Sequence, residues 1–135
     1  MPSAAYVAGL IDGDGCITAF LKKLKTSPHG FAAKGRVKIT SRSLRLLKAV
    51  QEDFGGKIVD RGDGLLDLCW ESFEEVEKLL RAILPFLIEK REQALCMLKL
   101  CSLKRSRAFH EKVKLIKRIQ ELNSGAPTGR GVKRA

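Results

Sequence analysis

The stretch 6-YVAGLIDGDGCI-17 decides how the rest of the chain is read. It begins as a helix. Ser3 is placed to cap a first turn, and Tyr6, Val7, Leu10 and Ile11 recur at helical spacing. Ala8 and Gly9 put small residues on one side, and small residues let a second helix backbone come close. The run then breaks into Asp12-Gly13-Asp14-Gly15, so the spacing predicts a helix over 4–12 stopped by the two glycines. The C-terminal end of a helix is negative, a poor place for two carboxylates. A cation there offsets the repulsion, and an oxygen donor between glycines suits a hard divalent ion such as Mg²⁺. Taken alone, the same four residues read first as a turn that merely ends a helix.

Outward from this stretch the pattern changes period. Residues 16–25 read as a strand, and 26–30 carry turn chemistry. The segment 34-KGRVKIT-40 alternates with period two. Lys34, Arg36, Lys38 and Thr40 point one way while Val37 and Ile39 point the other, a half-buried strand with a cationic open face. A helix opened by Ser41 or Ser43 runs to about Phe54, with Leu44, Leu47 and Val50 as its stripe, and Gly55-Gly56 stops it. Residues 57–61 and 65–71 read as a hairpin around 62–64. Ser72 and Glu75 form a capping box for the next helix, which Pro85 breaks. Further helices are predicted over about 86–101 and 107–122.

The order α-β-β-α-β-β-α-α-α defines an α+β fold: one four-stranded antiparallel sheet with helices on one face. A single domain is expected over 1–122, with 123–135 as a basic, glycine-rich, disordered tail. The open sheet face carries Lys34, Arg36 and Lys38, and with them Thr18, Lys22, Arg61 and Asp67. A basic, twisted sheet face of this kind can enter a DNA major groove.

Charge supports that partner. The 135 residues hold 26 Lys and Arg against 15 Asp and Glu, a net charge of +11. The last thirteen contribute three cations and no acid, so the excess sits in the folded body. A body this basic meets a polyanion, most commonly nucleic acid. Cys16, Cys69, Cys96 and Cys101 form no CxxC pair, and two histidines complete no zinc pattern. Cys16 and Cys69 read as small core residues in a reduced setting. No stretch reaches the length of a membrane span, and the start lacks the pattern of a signal peptide. The chain is expected to be intracellular: cytosolic, or made inside the organelle where it works.

Val7-Ala-Gly-Leu-Ile-Asp-Gly-Asp-Gly15 resembles the signature of the LAGLIDADG homing endonucleases, with seven of nine positions identical. Val7 stands for Leu and Gly13 for Ala. The element order is similar to the family's αββαββα core, and 59-VDRGDGLLDL-68 and 84-LPFLIEKREQAL-95 resemble stretches of its single-motif, homodimeric algal chloroplast branch. The motif occurs once in this chain. The resemblance therefore implies a homodimer in which two copies of helix 4–12 pack through Tyr6, Ala8, Gly9, Ile11 and Asp12. It implies an intron-encoded enzyme of an organelle or a prokaryote, cutting both strands of a long, roughly palindromic double-stranded DNA. No membrane or small-molecule substrate is expected.

The same resemblance assigns the metal to Asp14 and the Gly13 carbonyl, with Mg²⁺ or Mn²⁺ as cofactor and Ca²⁺ binding without supporting cleavage. Around it the resemblance places Lys90, Ser41 and Arg45 as a peripheral catalytic set. Asp12, nearer the helix body, is also a candidate structural hydrogen-bond partner. The expected DNA contacts are Thr18, Phe20, Lys22, Lys34, Arg36, Lys38, Arg61 and Asp67. Two of these have alternatives: Asp67 can pair internally with Arg61 across the hairpin, and Phe20 joins the core if its strand bulges. The rival readings are an RNA-binding maturase and a non-catalytic DNA-binding protein on the same fold.

Overall fold

In the computed structural model, which describes residues 2–27 and 29–124, one face of a single sheet is covered by helices. The elements run α1 (Ala4–Asp14), β1 (Gly15–Lys23), β2 (Phe31–Ser41), α2 (Leu44–Phe54), β3 (Lys57–Asp60), β4 (Leu66–Trp70), α3 (Phe73–Ile83), a 3₁₀ turn (Leu84–Phe86), α4 (Arg91–Ser102) and α5 (Phe109–Asn123). All strand pairs are antiparallel, in the order β1-β2-β4-β3. The expected α+β architecture is the one observed. No described helix is long and apolar enough to cross a membrane.

Alternation writes the two faces. Ile17, Ala19, Val37, Ile39, Leu68 and Trp70 are buried on the helix side. Val7, Leu80, Met97 and Ile119 meet them from α1, α3, α4 and α5, each fully buried. Each such side chain contributes about 1.5–3 kcal/mol through the water it sheds. Gly35 sits in the middle of β2 because the helices come close there: a Cβ would lie 2.5 Å from the Met97 sulfur. Trp70 satisfies its indole N–H on the Phe54 carbonyl, 2.9 Å away.

Several ends differ from the sequence expectation. α1 continues through Gly13 to Asp14, and the Gly15 N–H closes its last turn on the Ile11 carbonyl. α4 begins at Arg91, because residues 87–90 are held by a tertiary bond described below. Ser72 caps α3 as expected, its Oγ accepting the Glu75 N–H at 3.1 Å, while the Glu75 carboxylate accepts the Ser72 hydroxyl in place of its backbone N–H. Leu44, expected in the α2 stripe, is 45% exposed in the first turn.

α5 runs to Asn123, one residue past the expected helix end at 122. Asn123 donates its amide to the Ile17 carbonyl at 2.7 Å, and Gln120 donates to that of Ala19 at 3.2 Å. α5 thereby covers the outer edge of β1, a strand paired on one side only. The rest of the expected tail, 125–135, lies outside the described residues.

Candidate nucleic-acid interface

The open sheet face gathers the expected residues. Thr18 stands opposite Arg36 and Phe20 opposite Lys34, with Lys22 one step further along β1. Cys16 and Cys69 flank Lys38 from either side. The β1–β2 register runs unbroken from Gly15 to Lys23, so Phe20 is on this face and not in the core. The same register corrects the expectation for Cys69 and Cys16: both belong to the open face, Cys69 buried there and the Cys16 thiol half-buried. Burial pushes that thiol up from its ordinary range, while Lys38 and Lys90 pull it partly back.

Asp67, 8% exposed, is the organiser of this face. The Thr40 hydroxyl donates to its Oδ1 at 2.7 Å, Lys38 Nζ lies 3.9 Å from Oδ2, and Arg61 Nη1 lies 4.0 Å from Oδ1. The internal pairing is the one observed, and it involves Lys38 as well as Arg61. Arg36 has a different and closer partner. Its guanidinium lies over the Phe20 ring, 5.5 Å from the centroid, and Nε is 3.1 Å from Glu71 Oε2. That ion pair is not aligned as a hydrogen bond, and the water-shielded Nε has no other acceptor among the described residues. Glu71 was not anticipated, although the period-two line Asp67, Cys69, Glu71 contains it.

At the head of the sheet, Asp14 ends α1, exposed, directly before β1. Gly15 pairs with Ile39, so the end of β2 at Ser41 lies at the same end of the sheet. Asp12 turns the other way. Its Oδ2 accepts the Ile88 N–H at 2.8 Å and its Oδ1 accepts the Lys90 N–H at 3.0 Å. It therefore caps the entry to α4, whose own N-cap, Lys90, supplies no side-chain bond. Lys90 Nζ donates to the Asp12 carbonyl at 2.8 Å, which fixes the amine two residues from Asp14. A cleft of about 270 Å³ opens beside it, lined by Gly13, Cys16, Thr18, Lys90 and Asn123 among others. Ser41 uses its hydroxyl locally, accepting the Ser43 N–H at 3.0 Å. Arg45 is exposed in the first turn of α2 and makes no hydrogen bond or ion pair among the described residues.

The outer side of α1 is open, and of the five residues expected to meet a partner Tyr6 and Gly9 lie on it. Ala8 and Ile11 are fully buried in the core, so they cannot face a partner. Asp12 is committed to the α4 entry. The exposed stripe is Ala5, Tyr6, Gly9 and Gly13, and a Cβ at either glycine would meet nothing within 4 Å. Tyr6 is 50% exposed, and Ile88, bonded to Asp12 through its N–H, is 86% exposed. Ile88 was not anticipated; its signal is an apolar residue after the Pro85 break, outside any helical stripe.

The fold and site define an αββαββα domain with a cationic open sheet face and an exposed carboxylate, Asp14, at its head. A family profile for the LAGLIDADG endonuclease matches residues 7–99, and the chain belongs to that family. It is 31% identical over 104 residues to the DNA endonuclease I-CvuI of Chlorella vulgaris, across 71% of this chain. That match spans 62% of the relative's length. The solved structure of the homing endonuclease I-CvuI with its DNA target and calcium superposes with a TM-score of 0.83, at 23% identity, over 93% of this chain and 84% of that one. I-SmaMI bound to uncleaved DNA with calcium ions superposes with a TM-score of 0.73, at 25% identity, over 94% of this chain but 49% of that one.

Proposed function

We propose that the protein is a site-specific endonuclease that cuts both strands of a long, roughly palindromic double-stranded DNA as a homodimer with a divalent ion. The observation that carries the reading is Asp14: an exposed carboxylate at the junction of an open helix stripe and a basic sheet face. Among the described residues no three His, Cys, Asp or Glu side chains gather as a metal centre. In this reading one chain supplies Asp14, and a second copy packed through Ala5, Tyr6, Gly9 and Gly13 supplies its own. I-SmaMI supports the pairing, since this chain matches about half of that DNA-bound protein.

The donor set fits the ion. A carboxylate and a backbone carbonyl, Asp14 and Gly13, are hard oxygen donors suited to Mg²⁺. When bound, the ion supplies an activated water and charge stabilisation at the scissile phosphate. The chain's own residues do the rest. Lys90, anchored on the Asp12 carbonyl, brings a positive charge to the reacting phosphate. Lys38 beside Asp67, Arg61 between Asp63 and Asp67, and Arg36 paired with Glu71 present donors to base edges and phosphates. Two-fold pairing of such faces reads two half-sites.

A cleavage selection on a randomised DNA library, with Mg²⁺ and with chelator, tests activity and reveals the site together. Asp14→Asn should bind the selected DNA and leave it intact. A cleaving Asp14→Asn enzyme, or cleavage by a strict monomer of 15.0 kDa, overturns the mechanism.

A further inference from the structure

At the end of the β1–β2 hairpin away from Asp14 lies a cavity of about 620 Å³. That is within the roughly 300–1,000 Å³ of ordinary ligand pockets. Nine residues of β1, at about 3.3 Å each, separate it from the acidic end. Its floor is apolar, with Leu24, Phe31, Phe73 and Leu100. Its rim is cationic, with Lys34, Lys104, Arg107 and Lys112. In its wall the rings of His29 and Phe109 stack, centroids 4.3 Å apart and planes at 22°.

The rim is built and not merely wet. Lys112 Nζ donates to the Ser106 carbonyl at 2.7 Å, and the Ala108 N–H donates to the Ser106 hydroxyl at 2.9 Å. α5 starts at the cavity, and its N-cap, Ala108, offers no side-chain acceptor to the first-turn N–H groups. The positive end of a fifteen-residue helix therefore adds to the lysine and arginine charges.

These features select a ligand with two parts. Cations and a helix N-terminus recognise an oxyanion, but an oxyanion alone leaves the apolar floor unused. A flat aromatic ring uses the floor and extends the His29–Phe109 stack. We propose that this cavity binds an unpaired nucleotide, its base against His29 and Phe109 and its phosphate on Lys104, Arg107 and the start of α5. The proposal stands apart from the cleavage reading, because none of these residues is near Asp14 in the fold.

Calorimetric titration of the full chain tests it with four probes: adenosine 5′-monophosphate, adenosine, inorganic phosphate and octyl phosphate. The nucleotide should bind at least ten-fold more tightly than each of the other three. His29→Ala, at an exposed position, and Phe109→Leu, which keeps the bulk, should each weaken the nucleotide several-fold and leave phosphate unchanged. Asp14→Asn should bind it as the wild type does. Phosphate binding as tightly as the nucleotide would reduce the site to an anion patch and overturn the proposal. Equal affinity for octyl phosphate would make it an aliphatic slot and do the same, as would indifference to both ring variants. A 5′-phosphorylated single-stranded tetranucleotide separates the sources: tighter binding than the monophosphate assigns the nucleotide to a strand end, and equal or weaker binding to the free pool.

Discussion

Replacing Asp12 should damage the fold, while replacing Asp14 should damage only the chemistry. Asp12 accepts two N–H groups, from Ile88 and Lys90, and so ties the end of α1 to the start of α4 across 76 and 78 residues of sequence. Loss of a helix cap costs about 0.5–2 kcal/mol, and a hydrogen bond to a charged group contributes about 1.5–3 kcal/mol. The low ends apply, because Ile88 is 86% exposed and its N–H can turn to water. Asp12→Ala should therefore lose about 2–3 kcal/mol. In a domain of this size that lowers Tm by about 6–15 °C. Asp12→Asn keeps one acceptor and faces a donor with its amide, so roughly half the loss is expected. Asp14 makes no hydrogen bond or ion pair among the described residues, and Asp14→Asn removes a negative charge from a helix C-terminus. Its Tm should stay level or rise slightly. Thermal melts by circular dichroism decide: an Asp12→Ala protein melting within 2 °C of the wild type, on a scale of about 3–5 °C per kcal/mol, would refute the capping role.

Gly9→Leu should leave the single chain folded, with an unchanged circular dichroism spectrum, since the space above Gly9 is open in one protomer, yet abolish dimers in light scattering and with them cleavage. Gly15→Ala should destabilise by about 1–3 kcal/mol, because its Cβ would lie 2.7 Å from the Lys38 carbonyl oxygen and 2.8 Å from the Ile11 Cα, neither of which can swing away; urea unfolding measures it. Burial raises the Cys101 thiol from its ordinary 9.0 to about 11. The neutral thiol's contribution is whole below pH 9.0 and fades as pH rises to about 11, so urea midpoints should fall less over that window in Cys101→Ala than in the wild type. Arg36→Ala should relax base choice at one symmetric pair of target positions, seen by selection on the library; a uniform loss of affinity would make Arg36 a phosphate contact instead.

The sheet was legible because period two admits few readings. Lys34, Arg36 and Lys38 alternate with Gly35, Val37 and Ile39, and the structure splits them between the two faces as expected. α1 was legible as a helix but not in its orientation. Val7, Ala8 and Ile11 on one side and Ala5, Tyr6 and Gly9 on the other are both free of charge, so nothing local says which side meets the core. Asp12 was legible as a structural hydrogen-bond partner, but its partners and the late start of α4 were not, because those bonds join residues far apart in sequence. Cys16 was misread because a small apolar residue beside a core strand looks alike on either face until the register with Lys38 is known.

The cover that α5 lays over β1 carries a consequence for handling the protein. Gln120 and Asn123 occupy carbonyls that would otherwise template another strand. At the opposite border of the sheet, β3 is four residues long, too short to recruit a neighbour firmly. Trimming the chain back to about residue 119 would strip that shield while leaving the nine-residue β1 intact, and the product would be expected to precipitate through strand addition before it lost its fold.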